Sequence, residues 1–174
     1  MKIKKLIVNN ILALCLMISA LFIFSACGDS PVEEKKEPIS EKGKIYTVAN
    51  KQTDITIHWG DDKDEHMEEI GSEQNAINAF ATFTISFDND GKVVISAEGR
   101  SDDARFYVIN EYNVLEFYNS AEDATNGIGK LDDDYYSAEY KFSADKKVIT
   151  VKTTISEKSV VNKTSVVIKL TANE

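Results

Sequence analysis

Apolar and polar positions alternate in short runs along most of this chain. In residues 53–59, Ile55, Ile57 and Trp59 fall on one face and Asp54, Thr56 and His58 on the other. In residues 79–87, Ala81, Phe83, Ile85 and Phe87 oppose Thr82, Thr84 and Ser86. A period of two marks a strand with one buried and one wet face. Asp88-Asn89-Asp90-Gly91 then supplies residues that tolerate the backbone of a hairpin turn, and residues 92–98 return as KVVISAE. Residues 105–110 and 114–118 flank a turn at 111–113. In residues 135–143, Tyr136, Ala138, Tyr140 and Phe142 alternate with Ser137, Glu139 and Lys141. Residues 143–146 turn the chain, and 147–156 and 163–172 are the last two strands. With residues 44–49 this makes about nine strands at roughly ten-residue spacing, the pattern of an all-β protein. The predicted architecture is a single antiparallel up-and-down barrel or sandwich of about eight or nine strands.

Two stretches break the alternation. Residues 61–78 are acidic, with Met67, Ile70 and Ile77, and Phe80 just beyond them, at near-helical spacing. Ser72 is a suitable N-cap, so a short helix is predicted over 72–79, with 61–71 as an acidic loop. Residues 119–134 contain Gly127 and Gly129, end in three aspartates and read as a long loop.

The first 43 residues follow a different logic. Lys2, Lys4 and Lys5 precede a run of 14 uncharged residues, 11–24, and then Ser25-Ala26-Cys27. A basic start, a short apolar run and small residues form a secretory signal over 1–26, and the run is shorter than the roughly 20 residues that span a bilayer. Phe24-Ser25-Ala26-Cys27 resembles the lipobox of bacterial lipoproteins, with Phe24 where the family usually has Leu. That resemblance implies cleavage before Cys27, a diacylglyceryl thioether on its sulfur, and acylation such as palmitate on its amine. Two or three such chains anchor a protein stably. The expected location is the extracytoplasmic face of the cell membrane. Residues 28–43 hold both prolines of the chain, many charges and few apolar side chains. Such a composition does not offset the entropy of ordering, so 27–43 reads as a lipidated flexible tether and 44–174 as the β-rich domain.

Charge narrows the partners. The chain carries net −9, and beyond the three N-terminal lysines 17 basic residues face 29 acidic ones. A body at −12 repels phosphate backbones, which argues against nucleic acid. Both cysteines lie within the first 27 residues, so no disulfide staples the domain.

The hairpins at 87–99 (FDNDGKVVISAEG) and 136–155 (YSAEYKFSADKKVITVKTTI), with the closing strand 164–170 (TSVVIKL), resemble those of lipocalin-like lipoproteins. The lipocalin Gly-x-Trp is not matched, since Ile57-His58 precede the single tryptophan, Trp59. The resemblance covers about residues 45–172 and implies a calyx for a small apolar ligand.

Catalytic chemistry is sparse. His58 and His66 are the only histidines, and no serine sits in a nucleophile-elbow pattern. Carboxylates at Asp61, Asp62, Asp64 and Glu65 and at Asp132–Asp134 suit calcium, or zinc with the two histidines, but lack the spacing of a calcium loop. They are read as solvated loops, with no metal and no cofactor expected. Seven tyrosines, with Tyr135-Tyr136 adjacent, suit a binding surface as well as an ordinary sheet. The expected function is non-enzymatic binding by a membrane-anchored lipoprotein, the partner being a protein or a small apolar ligand. The alternative is a cell-envelope hydrolase without a recognisable motif.

Overall fold

The computed structural model describes residues 41–131, 138–155 and 160–173. Ten strands form one antiparallel sheet: β1 (Ile45–Thr47), β2 (Ile55–His58), β3 (Thr84–Phe87), β4 (Lys92–Ala97), β5 (Arg100–Ser101), β6 (Arg105–Ile109), β7 (Leu115–Tyr118), β8 (Glu139–Phe142), β9 (Val148–Thr154) and β10 (Ser165–Ala172). Eight of them run side by side in the order β7-β6-β4-β3-β1-β10-β9-β8. Between the two ends of that path, Val114 bridges Lys141, and the Phe142 N–H donates to the Asn113 carbonyl at 2.8 Å. The circuit is thereby all but closed, and apart from β2 and β5 it follows chain order. This is an up-and-down barrel, one of the two architectures, barrel or sandwich, expected from the alternation.

β1 and β2 share one neighbour. Tyr46 pairs with Ala172 and Ile55 with Ile168, so the two strands occupy successive stretches of β10. The loop between them is tied to the sheet by the Lys169 N–H, which donates to the Asp54 carbonyl at 2.7 Å. The short β5 adds to β4 beyond the turn at Glu98 and Gly99.

The inward rows are those the alternation marks. Ile85 is fully buried, as are Ile149, Val166 and Leu170, and Phe83, Phe87, Tyr140 and Phe142 lie with them in one core. Asp88 closes the β3–β4 turn as expected: its carboxylate accepts from the N–H groups of Asp90 and Lys92. Residues 135–137 of the predicted strand 135–143, including Tyr135 and Tyr136, lie outside the described residues, as do Asp132–Asp134.

The helices depart from expectation in three places. Residues 61–71 are not an acidic loop: α1 (Lys63–Ile70) fills most of them. It buries only Ile70, so it leaves no apolar stripe to be read, and Gly71 ends it at φ 80°. α2 (Glu73–Phe80) starts at Ser72 as predicted, with Ser72 Oγ accepting from the Asn75 N–H. It continues through Ala79 and Phe80, which the alternation had assigned to a strand. Phe80 is 2% exposed because it seals α2 onto the core, whereas Phe83, Ile85 and Phe87 do face inward as expected. The predicted long loop at 119–134 contains α3 (Ala121–Asn126), capped by Ser120 and ended by Gly127 at φ 66°. Ser120-x-x-Asp123 is a capping pattern with Asp in place of Glu. Among the described residues no helix is long and apolar enough to cross a membrane.

Candidate functional site

The two ends of the barrel differ. At the end reached by the β3–β4, β6–β7 and β8–β9 turns, rings fill the interior. Phe87 stacks edge-on against Tyr46 and Tyr107, with centroids 5.8 and 4.8 Å apart, and Phe142 lies 5.7 Å from Tyr46. Glu41 closes this end. It lies within residues 27–43, which read as a flexible tether, yet it is 3% exposed, and its N–H donates to Tyr107 Oη at 3.1 Å. Tyr46 Oη lies 3.0 Å from Glu41 Oε2 and 2.6 Å from the Lys146 carbonyl, so one proton serves two acceptors. Burial and the adjacent Glu41 carboxylate push the Tyr46 hydroxyl well above the usual tyrosine range. Lys146 covers Phe142 from 4.9 Å and donates to Asn113; its ammonium is shifted down by burial, against the pull of Glu41. Every polar group named here has a partner, and this end is a plug.

The opposite end is built otherwise. The inward rows continue there into side chains that are only half-buried: Ile57 on β2, Ile95 and Ala97 on β4, Ala138 ahead of β8, and Ile155 after β9. Two of these are alanines, small side chains at the ends of their rows. Trp59 extends the row of Ile55 and Ile57, as the alternation predicted, and it is half-buried at the rim. Its indole Nε1 is buried and has no hydrogen-bond partner among the described residues. A buried donor left in that state is costly and uncommon. Helices α1 and α2 connect β2 to β3 at this end, with Ile70, Ala76 and Phe80 set into the core and Ile77 half-buried.

A clasp holds the helices there. The Gly60 N–H donates to Thr164 Oγ1 at 2.8 Å, and Thr164 donates to Asp62 Oδ1. Asp61 and Asn162 bind reciprocally: the Asp61 N–H donates to the Asn162 carbonyl at 2.9 Å, and the Asn162 N–H and side-chain amide donate back to the Asp61 carboxylate at 3.2 and 3.3 Å. Asp62 is 7% exposed, and its second oxygen lies 3.2 Å from His66 Nε2, one turn along α1. His66 in turn packs on Trp59 with ring centroids 6.2 Å apart. It is therefore not a solvated loop residue, as the acidic surroundings suggested, but a half-buried member of the clasp. His58 is exposed on β2, as expected of its face.

This arrangement brings a hydroxyl, a carboxylate and an imidazole together, yet in an order unsuited to nucleophilic catalysis. The base must stand against the hydroxyl and be oriented by the carboxylate. Here the carboxylate of Asp62 stands between Thr164 and His66, so the group joins α1 to the β9–β10 connection. Among the described residues no three Cys, His, Asp or Glu side chains are grouped to hold a metal ion. A separate outer cluster involves Glu116: burial raises its carboxyl, but hydrogen bonds from Asn110 at 2.9 Å and Lys130 at 3.1 Å outweigh this and hold it below its ordinary value. Tyr118, buried and also bonded to Glu116, is pushed up to about 12.

The electrostatics of the mouth are one-sided. α1 carries Asp64, Glu65, Glu68 and Glu69 against the single Lys63, and α2 opens with Glu73. Asp64 and Glu68, like Glu65 and Glu69, are like-charge pairs one turn apart, and the last turn of α1 has no basic residue. Both features disfavour the helix, by a few tenths of a kcal/mol each. No family model, curated protein or solved structure matches the chain.

Proposed function

We propose that this chain is an extracytoplasmic lipoprotein, anchored through lipid on Cys27, whose barrel binds a partner without catalysis at its mouth. The observation that carries the binding role is the asymmetry of the barrel. One end is packed solid by Tyr46, Phe87, Tyr107 and Phe142; the other presents half-buried Ile57, Ala97, Ala138 and Ile155 beside an indole N–H without a partner. Binding sites combine such an apolar lining with a few placed polar groups. A filled half-barrel favours an occupant seated in the mouth over one enclosed in a deep calyx.

The anchor fits the same picture. A chain held at Cys27 would enter the domain at Glu41, at the plugged end, about 14 residues from the lipid. A coil of that length reaches roughly 20 Å. The plug would then face the membrane and the mouth the surroundings.

Cys27→Ser tests the anchor. The wild-type chain is expected in the membrane fraction with an acylated Cys27, and the variant is expected unacylated, either soluble or unprocessed. An unmodified thiol at Cys27 of the wild-type protein, shown by mass spectrometry, would remove the lipoprotein reading and leave the mouth to be judged by itself.

A further inference from the structure

Resting on the reading of the mouth as a binding site, we infer that its occupant is a cationic amphipathic peptide segment of another protein. Two surfaces meet at this end. The inner one is apolar: Ile57, Ile77, Ala97, Ala138 and Ile155 are half-buried, at the open ends of rows that are fully buried farther in. The outer one is acidic: Asp64, Glu68 and Glu73 are exposed on α1 and α2, with Glu69 half-exposed among them. Among the described residues no ion pair engages these four carboxylates, although ion pairs are formed by Glu41, Asp103 and Glu116 elsewhere.

An apolar seat edged with carboxylates complements a helix with one apolar and one basic face. A fatty acid or an acidic peptide would meet the apolar lining equally well, but it would bring its charge against the acidic edge. Lys63 Nζ lies 5.9 Å from the ring centroid of Trp59, so the indole face at the rim is one that a cation already occupies, and a partner's lysine or arginine would reach it only by displacing Lys63. The crowded carboxylates of α1 point the same way: like charges one turn apart persist at a cost to the helix, which a bound cation would relieve.

The test uses the full chain in neutral-detergent micelles and reads the emission of Trp59, the single tryptophan. The probes are three tryptophan-free amphipathic peptides of about 18 residues, long enough to hold a helix when bound. All carry the same leucine face, with Lys, Gln or Glu on the other. The Lys/Leu peptide is expected to shift Trp59 emission saturably, roughly tenfold more tightly than Gln/Leu and more tightly still than Glu/Leu, with affinity falling as salt rises. Reversing Glu68→Lys, Glu69→Lys and Glu73→Lys together is expected to weaken Lys/Leu roughly tenfold and to strengthen Glu/Leu. These positions lie on the outer side of the helices, and thermal melting confirms that the variant folds. Ala138→Phe is expected to obstruct the mouth and weaken all three peptides. Equal binding of the three would overturn the cationic partner while leaving the mouth as a binding site. Unchanged Lys/Leu binding in Ala138→Phe would reduce the attraction to surface charge and overturn docking in the mouth. No saturable response from any of the three would remove both readings.

Discussion

Ile85→Asp is expected to leave the chain unfolded at 25 °C, whereas Thr84→Asp, one residue away, is expected to leave it folded. Ile85 is 0% exposed, in the middle of β3, with Tyr46 of β1 and Ile95 of β4 as its cross-strand neighbours. Truncating a buried Ile loses about 2–5 kcal/mol through transfer and cavity terms. A carboxyl group placed there has no donor aimed at it and adds several kcal/mol more, ionised or not. Together these approach the whole stability of an ordinary domain, about 5–15 kcal/mol. Thr84 is half-buried on the outer face, between Thr47 and Ser96, and an aspartate there keeps its water, so about 1 kcal/mol is expected. Circular dichroism and thermal melting of both variants check the pair. Similar costs would mean that the inward face of β3 is wrongly assigned.

Gly60→Ala is expected to be the next most damaging single change. A Cβ at Gly60 would stand 2.1 Å from the Asn162 carbonyl oxygen and 2.6 Å from Lys163 C and Thr164 N. All three are backbone atoms of the opposing segment, so no side-chain rotation relieves the contact. The two segments must separate, which stretches the Gly60–Thr164, Thr164–Asp62 and Asp61–Asn162 bonds at once. Overpacking costs about 1–3 kcal/mol, and loosening the clasp adds to it, so at least 3 kcal/mol is expected. For a domain of this size that lowers the melting temperature by about 10 °C. Gly91→Ala is the control. A Cβ there meets nothing within 4 Å, and the cost is that of holding alanine at φ +79°, about 1 kcal/mol. A Gly60→Ala protein as stable as Gly91→Ala would show that the clasp does not hold the helices to the barrel.

How much of this was legible in the sequence depended on the range of the interaction. Strand identity and facing follow from side chains two positions apart, and Ile55, Phe83, Ile85, Phe87, Tyr140 and Phe142 were placed inward on that basis and are buried. α2 was legible at its start because Ser72 caps locally, and illegible at its end because Phe80 is buried by a tertiary contact that a strand pattern imitates. α1 was hidden for the opposite reason: it buries one residue, Ile70, and its charges resemble those of a solvated loop. The clasp could not be read at all. Asp62 and Thr164 are 102 positions apart, and neither Gly60 nor Asp61 lies in a recognisable motif. The mouth was half legible. The inward face of Trp59 was read from alternation, but the half-buried state of Ala97 and Ala138 depends on how eight strands close around them.

The measurement that bears most directly on this account is a backbone and methyl NMR titration of the full chain with the Lys/Leu peptide, or with whichever of the three probes binds tightest. Saturable shifts are expected at Ile57, Trp59, Ile77, Ala97 and Ala138, with the plugged end around Tyr46, Phe87 and Phe142 unchanged. Shifts centred on Tyr46, Phe87 and Phe142, or spread evenly over the outer face of the barrel, would contradict it.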